Sequence, residues 1–315
     1  MTGARGPGLA VAVVGAGAVG CYYGGMLARA GVPVTLIGRA AHVDAIRRDG
    51  LRLTTASFDE RVRTGAGTDM AAVAGAGLVL VCVKSTDTDA TAAGLAPHLG
   101  PSACVLSLQN GVDNAARLRA AVGRPVSPAV VYVASRMDGP GHVRHLGRGE
   151  LVIPAQLDGG ASAPASADVA ALFERAGVAV ERSGNVVGAL WGKLALNCGF
   201  NAISAIADLP YGRLVGLPGV AQTLRSAVLE CLAVADALRI AIPGDVFEAA
   251  AAIARTMPDQ VSSTCQDLRR GKPSEIDHLN GFVAGEGDRL GVPAPVNRAL
   301  HALVKAIESR GIPPR

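Results

Sequence analysis

Residues 191–206 read WGKLALNCGFNAISAI, and within them Lys193, Asn197 and Asn201 recur at intervals of four. That spacing sets all three along one face of a helix. Their neighbours Trp191, Leu194, Leu196, Phe200 and Ile203 are apolar. Asparagine side chains compete for backbone hydrogen bonds, so helix propensity does not account for two of them here. A lysine in apolar surroundings has its pKa lowered, because burial disfavours the charged form. Such a lysine can donate a proton or polarise a carbonyl near neutral pH. The plainer alternative is a stripe that faces solvent or satisfies a helix–helix contact.

A second chemistry-bearing stretch lies near the start. Gly15-Ala16-Gly17-Ala18-Val19-Gly20 matches GxGxxG, follows the apolar run LAVAVV and opens the helical pattern CYYGGMLARAG. In that context the first glycine permits a tight turn, the second lets backbone approach a pyrophosphate, and the third lets helix and strand pack closely. The helix N-terminus then offers unpaired N–H groups to phosphate. A site for NAD usually has an acid at the end of the second strand, gripping the ribose 2′-hydroxyl. Here that strand ends Leu36-Ile37-Gly38-Arg39 with no acid. Arg39 can meet a 2′-phosphate with its forked guanidinium, which favours NADP(H) over NAD; an ordinary surface arginine is the alternative.

Two further strand ends carry polar groups. Lys84 closes LVLVCVK, and Gln109-Asn110-Gly111 closes ACVLSLQNG. Ligands of open parallel sheets bind beyond the carboxyl ends of the strands. A solvated lysine and an Asn-Gly turn are the plainer readings. A late cluster runs Ser262-Ser263-Thr264-Cys265-Gln266-Asp267 and then Gly271-Lys272-Pro273-Ser274-Glu275-Ile276-Asp277. Helix capping alone could account for its serines and its acid.

The elements that must position these groups can be read from the pattern. Apolar runs at 9–14, VPVTLIG, AGLVLVCVK and ACVLSLQNG suit strands buried on both faces. Helical stretches alternate with them, near 41–49 and over TDATAAGLAPHL, and LRLTTASFDERVRT suits a hairpin. The fold class expected is α/β: an N-terminal Rossmann-type doubly wound parallel sheet followed by an all-helical C-terminal domain. Residues 126–153 read as further strands, with GPGHVRHLGRG as a glycine-rich turn region. The pattern turns helical from Val186, which places the boundary at Ser183–Gly184–Asn185 and the domains at 1–183 and 184–315.

Composition excludes several classes. At 3% aromatic residues the chain lacks the stacking platforms of single-strand nucleic-acid modules. A net charge of +4 is too weak and scattered for DNA, yet suits anionic small molecules. The six cysteines form no CxxC pair, which suggests buried free thiols in a reducing compartment rather than disulfides or a metal site. Arg5 before LAVAVVGAGAVG mimics a signal peptide, but glycines interrupt the run. No run reaches the roughly 18 apolar residues of a membrane span. The expectation is a cytoplasmic protein with small-molecule partners, no nucleic acid and no membrane, whose apolar helical half could support a homodimer.

Taken together, GAGAVG, Lys84 followed by Thr86-Asp87-Thr88, Gln109-Asn110-Gly111, the Trp191/Lys193/Leu194/Asn197/Asn201 pattern, SSTCQDLRRGKPSEID and GVPAPVN resemble the ketopantoate reductase family from about Leu9 to Asn297. The resemblance implies an NADP-dependent oxidoreductase that acts on CH–OH groups and reduces 2-dehydropantoate, a 2-oxo acid, to (R)-pantoate on the way to pantothenate and coenzyme A. By the same resemblance Lys193 is the general acid, and Glu275 holds the substrate hydroxyl beside the cofactor. Asn197, Asn201 and Ser263 hydrogen-bond the substrate, and Lys84 and Asn110 contact cofactor and substrate. Gly15, Ala16, Gly17, Ala18, Val19, Gly20 and Arg39 hold the dinucleotide. The chain departs from the family at Tyr211, a substrate-binding position where many members have asparagine, and at Ala294, where the usual hydroxyl is lost. Those departures motivate a second reading, a relative that reduces another 2-oxo acid or ketone. A third, a non-catalytic NADP(H) sensor, is disfavoured by the retention of both Lys193 and Glu275.

Overall fold

In the computed structural model, residues 9–159 and 163–310 are described; Arg5 lies outside them. The chain divides into two units, Met1–Val186 and Val187–Arg315. The first begins β1 (Val11–Val14), α1 (Ala18–Arg29), β2 (Val34–Ile37), α2 (Ala40–Asp49), β3 (Leu51–Thr54), β4 (Asp59–Val62) and β5 (Gly65–Gly67). It continues β6 (Leu78–Val81), α3 (Thr88–Leu95), β7 (Cys104–Ser107), α4 (Asn114–Val122), β8 (Ser127–Pro128), β9 (Val130–Gly139), β10 (His142–Pro154), α5 (Ser166–Arg175) and β11 (Val180–Ser183).

The main sheet is six-stranded in the order β5-β2-β1-β6-β7-β8, and every pairing in it is parallel. The central strands β1 and β6, VAVV and LVLV, are continuous apolar runs because both faces are covered. Val11, Val13, Leu36, Leu78 and Leu80 pack on one side with Cys21, Tyr23 and Leu27 of α1. Ala12, Val14, Val79 and Val81 pack on the other with Ala92 and Leu95 of α3 and Leu118 of α4. The chain proceeds outward from β1 to β2 and then returns to place β6 on β1's other side. The order therefore reverses between β1 and β6, and the crevice beyond their carboxyl ends is where such sheets take ligands.

The parallel sheet and the hairpin follow the sequence pattern, the hairpin being β3 and β4 paired antiparallel. The expected turn region GPGHVRHLGRG does not hold: from His142 these residues belong to the thirteen-residue strand β10. Its glycines serve bulges instead, with register shifts at His145/Gly147 and Arg148/Glu150 and positive φ at Gly147, Arg148 and Gly149. β10 centres a second sheet, β11-β10-β3-β4 with β9 alongside. Residues of this sheet, among them Leu51, Val143 and Leu151, share the core with α1 and with Phe173 of α5.

The second unit contains helices and no strand among the described residues: α6 (Val186–Ala207), which starts one residue inside the first unit, then α7 (Tyr211–Leu214), α8 (Val220–Ala237), α9 (Val246–Thr256), α10 (Ser263–Arg269), α11 (Asn280–Leu290) and α12 (Pro295–Ser309). By length and composition α6 could cross a membrane, yet 67% of its most apolar window is buried within the protein, as in a core helix. A Cβ at Gly199 would lie 3.1 Å from Leu224 and 3.3 Å from Val228, so glycine allows α8 to pass close over α6. Trp191 meets Phe282 of α11 edge-on at 6.0 Å.

A buried polar knot ties four of these helices. Asn280 and Asn297 are both fully buried. Asn280 Nδ2 donates to the Cys198 carbonyl of α6 at 3.0 Å and to Asn297 Oδ1 at 2.9 Å. Asn297 Nδ2 donates to the Ala227 carbonyl and to Glu230 on α8. Glu230 also accepts the backbone N–H groups of Val296 and Asn297, both at 2.9 Å, and so caps α12. Replacing Asn297 by leucine strands donors and acceptors that burial cannot hydrate, each worth about 1–3 kcal/mol. Asn297→Leu should lower the unfolding free energy by about 2–4 kcal/mol in urea titrations; a loss under about 1 kcal/mol would show that the knot does not hold the bundle.

Candidate functional site

The glycine loop is built by three different constraints. Gly15 has φ +111°, and a Cβ there would lie 2.7 Å from both the Cys82 carbonyl carbon and the Val83 nitrogen. Only glycine fits between β1 and the end of β6. A Cβ at Gly20 would collide with the Gly15 carbonyl and come within 3.0 Å of Val13. Gly17 differs, because a Cβ there would meet nothing within 4 Å. Its missing side chain opens onto space, as a site for an approaching pyrophosphate requires. Gly17 N-caps α1 without any side-chain cap, so Ala18, Val19 and Gly20 present their N–H groups at the positive end of the helix. Gly15 N and Ala16 N donate to the Ile37 carbonyl at 2.8 and 2.9 Å, which fixes the loop against β2. These residues fit a dinucleotide.

Arg39 follows directly, N-capping α2 in extended backbone, with no acid in the first turn of that helix. It is exposed. On the other side of the crevice Lys84 and Asn110 are half-buried at the ends of the β6 and β7 segments. A buried network joins their loops. Ser107 Oγ donates to Gln109 Oε1, Gln109 Nε2 to Thr88 Oγ1 at 2.8 Å, and Thr88 Oγ1 to Asn114 Oδ1 at 2.8 Å. Asn114 Nδ2 then donates to Ser85 Oγ at 3.0 Å, and Ser85 Oγ to the Asn110 carbonyl at 2.9 Å. Arg117 adds a bond to the Ser85 carbonyl at 3.0 Å. Gln109 is thus consumed internally, and its polarity holds the two strand ends in register.

In the helical unit the polar face of α6 is neither solvated nor closed. Lys193 and Asn197 are half-buried, and Asn201 is 4% exposed. The Asn201 carbonyl accepts from Ser262 Oγ at 3.0 Å, while that oxygen accepts from Cys265 N at 3.0 Å and caps α10. The serine that meets α6 is therefore Ser262; Ser263 begins α10 and is exposed. Tyr211 is buried, with its ring 4.9 Å from Phe200 of α6. Burial, and Cys265 beside it, push its phenol up, so it stays neutral. Burial likewise pushes the Cys198 thiol up, with Cys231 adding to the effect, which leaves it inert. Glu275 is half-buried, and its neighbours Ser274 and Ile276 are buried at 2% and 0% exposure. Among the described residues no cluster of His, Cys, Asp or Glu could hold a metal.

Sequence reasoning missed the groups that hold these residues in place. Ser262 was readable as a cap. Ser85, Asn114, Asn280 and Glu230 had no signal in spacing, because they hold groups far along the chain; Thr88 stood in the family pattern, but its pairing with Gln109 and Asn114 did not show there.

A parallel sheet with a GxGxxG loop between its first strand and helix, in a chain whose second unit is helical, is the architecture of an oxidoreductase that uses a nicotinamide dinucleotide. Residues 11–157 match the family model described as "Ketopantoate reductase PanE/ApbA", and residues 185–308 match "Ketopantoate reductase PanE/ApbA C terminal". The chain belongs to the ketopantoate reductase family, whose enzymes act on CH–OH groups. It is 37% identical over 307 residues to a 2-dehydropantoate 2-reductase of Halobacterium salinarum, covering 96% of this chain and 99% of that one. Among solved structures, a PanE/ApbA family ketopantoate reductase from Ralstonia eutropha JMP134 superposes with TM-score 0.90 at 59% identity, covering 96% and 99% of the two chains. D-mandelate dehydrogenase with NADH and anilino(oxo)acetate shares the fold, with TM-score 0.87 at 24% identity over 95% of this chain and 98% of that one.

The open space at Gly17 and the crowding at Gly20 separate binding from folding. Gly17→Val should raise the dinucleotide Kd at least about a hundredfold by fluorescence titration, while Tm stays within about 5 °C. Gly20→Val should fail to fold. Unchanged affinity in Gly17→Val would exclude the loop as the pyrophosphate site.

Proposed function

We propose that this protein reduces 2-dehydropantoate to (R)-pantoate with NADPH, a step toward pantothenate and coenzyme A. The observation that carries this reading is the face of α6: Lys193, Asn197 and Asn201 line one side of a helix most of whose other residues are buried. Identity to 2-dehydropantoate 2-reductases along almost the whole chain, at 37% and 32% in two relatives, supports the choice of substrate.

Each residue then has a chemical task. When bound, the nicotinamide supplies the hydride that reduces the keto carbon. Lys193 stabilises the negative charge that develops on the carbonyl oxygen and delivers the proton that completes the alcohol. Asn197, Asn201 and Ser263 donate hydrogen bonds that orient the acid, and the Glu275 carboxylate accepts one from the substrate hydroxyl. Lys84 and Asn110 orient cofactor and acid from the strand ends. Arg39 takes the 2′-phosphate with its fork, and residues 15–20 take the pyrophosphate. Tyr211 stands where many relatives have asparagine, so its ring borders the acid with less polarity and more bulk.

Steady-state rates across a panel of 2-oxo acids test the substrate. The highest kcat/KM is expected with 2-dehydropantoate, and a clearly higher value on another acid would overturn the assignment. Lys193→Ala should lower kcat by about 10²–10⁴ while NADPH affinity stays within about twofold; an undiminished kcat would remove Lys193 from the proton transfer. Arg39→Ala should weaken NADPH about 10–100-fold and NADH little, as expected for loss of a charge-assisted contact. Equal losses for both cofactors would remove the 2′-phosphate contact.

A further inference from the structure

Of the four residues Ser274-Glu275-Ile276-Asp277, only Glu275 has a task in the chemistry above, yet α12 grips the segment on both sides of it. Ser274 N and Ser274 Oγ both donate to Glu308 Oε1, at 2.8 and 2.6 Å. Lys305 Nζ pairs with Glu308 Oε2 at 3.0 Å and donates to Asp277 Oδ2 at 2.9 Å. Asp277 Oδ1 meets His301 Nε2 at 2.6 Å. His301, Lys305 and Glu308 fall at i, i+4 and i+7, which is one face of α12. Ser274 Oγ also accepts from Ile276 N at 3.3 Å, closing a small ring of chain around Glu275. A Cβ at residue 281 would lie 2.9 Å from the His301 ring, so Gly281 admits the helix at this distance.

The two grips differ in strength. The Glu308 side chain is 13% exposed and the Asp277 side chain 47%. Solvent screens the Asp277 pairs, so the Ser274–Glu308 contact holds most of the segment. Burial acts to raise the Glu308 pKa, but the Ser274 donors and Lys305 outweigh it and hold the carboxyl charged. Glu308 also stands in the last turn of α12, where the helix dipole disfavours an acid. Its local preference runs against its position, and its partner is the segment that carries Glu275.

We propose that Glu308 is a positioning residue for Glu275, holding the Ser274–Asp277 segment so that the Glu275 carboxylate meets the substrate hydroxyl. This rests on the role assigned to Glu275. It is tested by kinetics of Glu275→Gln, Glu308→Ala, Glu308→Gln and the double variant Glu275→Gln/Glu308→Ala, with NADPH affinity and Tm measured alongside. Glu308→Ala is expected to raise KM for 2-dehydropantoate about tenfold with NADPH affinity unchanged, the size of one lost hydrogen bond to a charged group. Glu308→Gln keeps an acceptor oxygen for Ser274 and should return KM to within about threefold of the parent. In the Glu275→Gln background, Glu308→Ala should change KM less than about twofold, because the two residues act through one contact. The proposal is overturned if Glu308→Ala lowers Tm without moving KM, or moves KM equally in both backgrounds. Should Glu308→Ala not fold, Ser274→Ala removes the hydroxyl alone and must raise KM in the same background-dependent way. A silent Glu275→Gln would defeat the role of Glu275 and the positioning with it; a damaging Glu275→Gln beside a silent Glu308→Ala defeats the positioning alone.

Discussion

A side chain at residue 15 would stand 2.7 Å from the peptide joining Cys82 to Val83, and the architecture of the first unit follows from that close approach. The strands β1 and β6 can be neighbours to their very ends only because residue 15 has no Cβ. The turn at φ +111° then sends α1 back across the sheet with its N-terminus at the crevice where the strand order reverses. The backbone amides at 15 and 16, bonded to Ile37, leave the loop no freedom to retreat. The N–H groups of the first turn of α1 are therefore held in place, so the dinucleotide proposed to bind there would need no reorganisation of the loop.

The helical unit solves the same problem of precision with buried amides. Asn280 and Asn297 link α6, α8, α11 and α12 through amide N–H groups that lose hydration on burial and are paired across the helices. Apolar packing alone tolerates small slips between helices, whereas a hydrogen-bonded knot fixes register. Asn280 grips the Cys198 carbonyl, one residue beyond Asn197, and Ser262 grips the Asn201 carbonyl. The polar face of α6 is thus indexed from its own backbone, at two adjacent turns.

Much of this was legible in the sequence because it obeys local rules. Four of the parallel strands, β1, β2, β6 and β7, announce themselves as short, largely apolar runs, the glycine loop by its flanking strand and helix, and the α6 stripe by its period. What stayed hidden is non-local. The first part of β10, up to Gly149, looked like a turn because the glycines at 147 and 149 serve bulges, which need positive φ as much as turns do. β11 reads VERS, with too little apolar alternation to announce a strand. In the site, Gln109 looked like a ligand group because it ends a strand, yet its amide is spent on Thr88, 21 residues away. Spacing cannot distinguish a polar side chain aimed at a ligand from one that holds its neighbour.

A different signal separates them. Asn197 and Asn201 lie mid-helix, where asparagine is disfavoured, and Glu308 lies in the last turn of α12, where the dipole opposes an acid. Local preference and global position conflict at all three, and a sequence shaped only for stability would relieve such conflicts. Glu308 offsets its conflict with two donors from Ser274. The side chains of Asn197 and Lys193 remain half-buried, short of the depth that would commit them to the core. Intermediate depth leaves such a group reachable by a small molecule, which the substrate contacts proposed for these residues require and a packing contact does not.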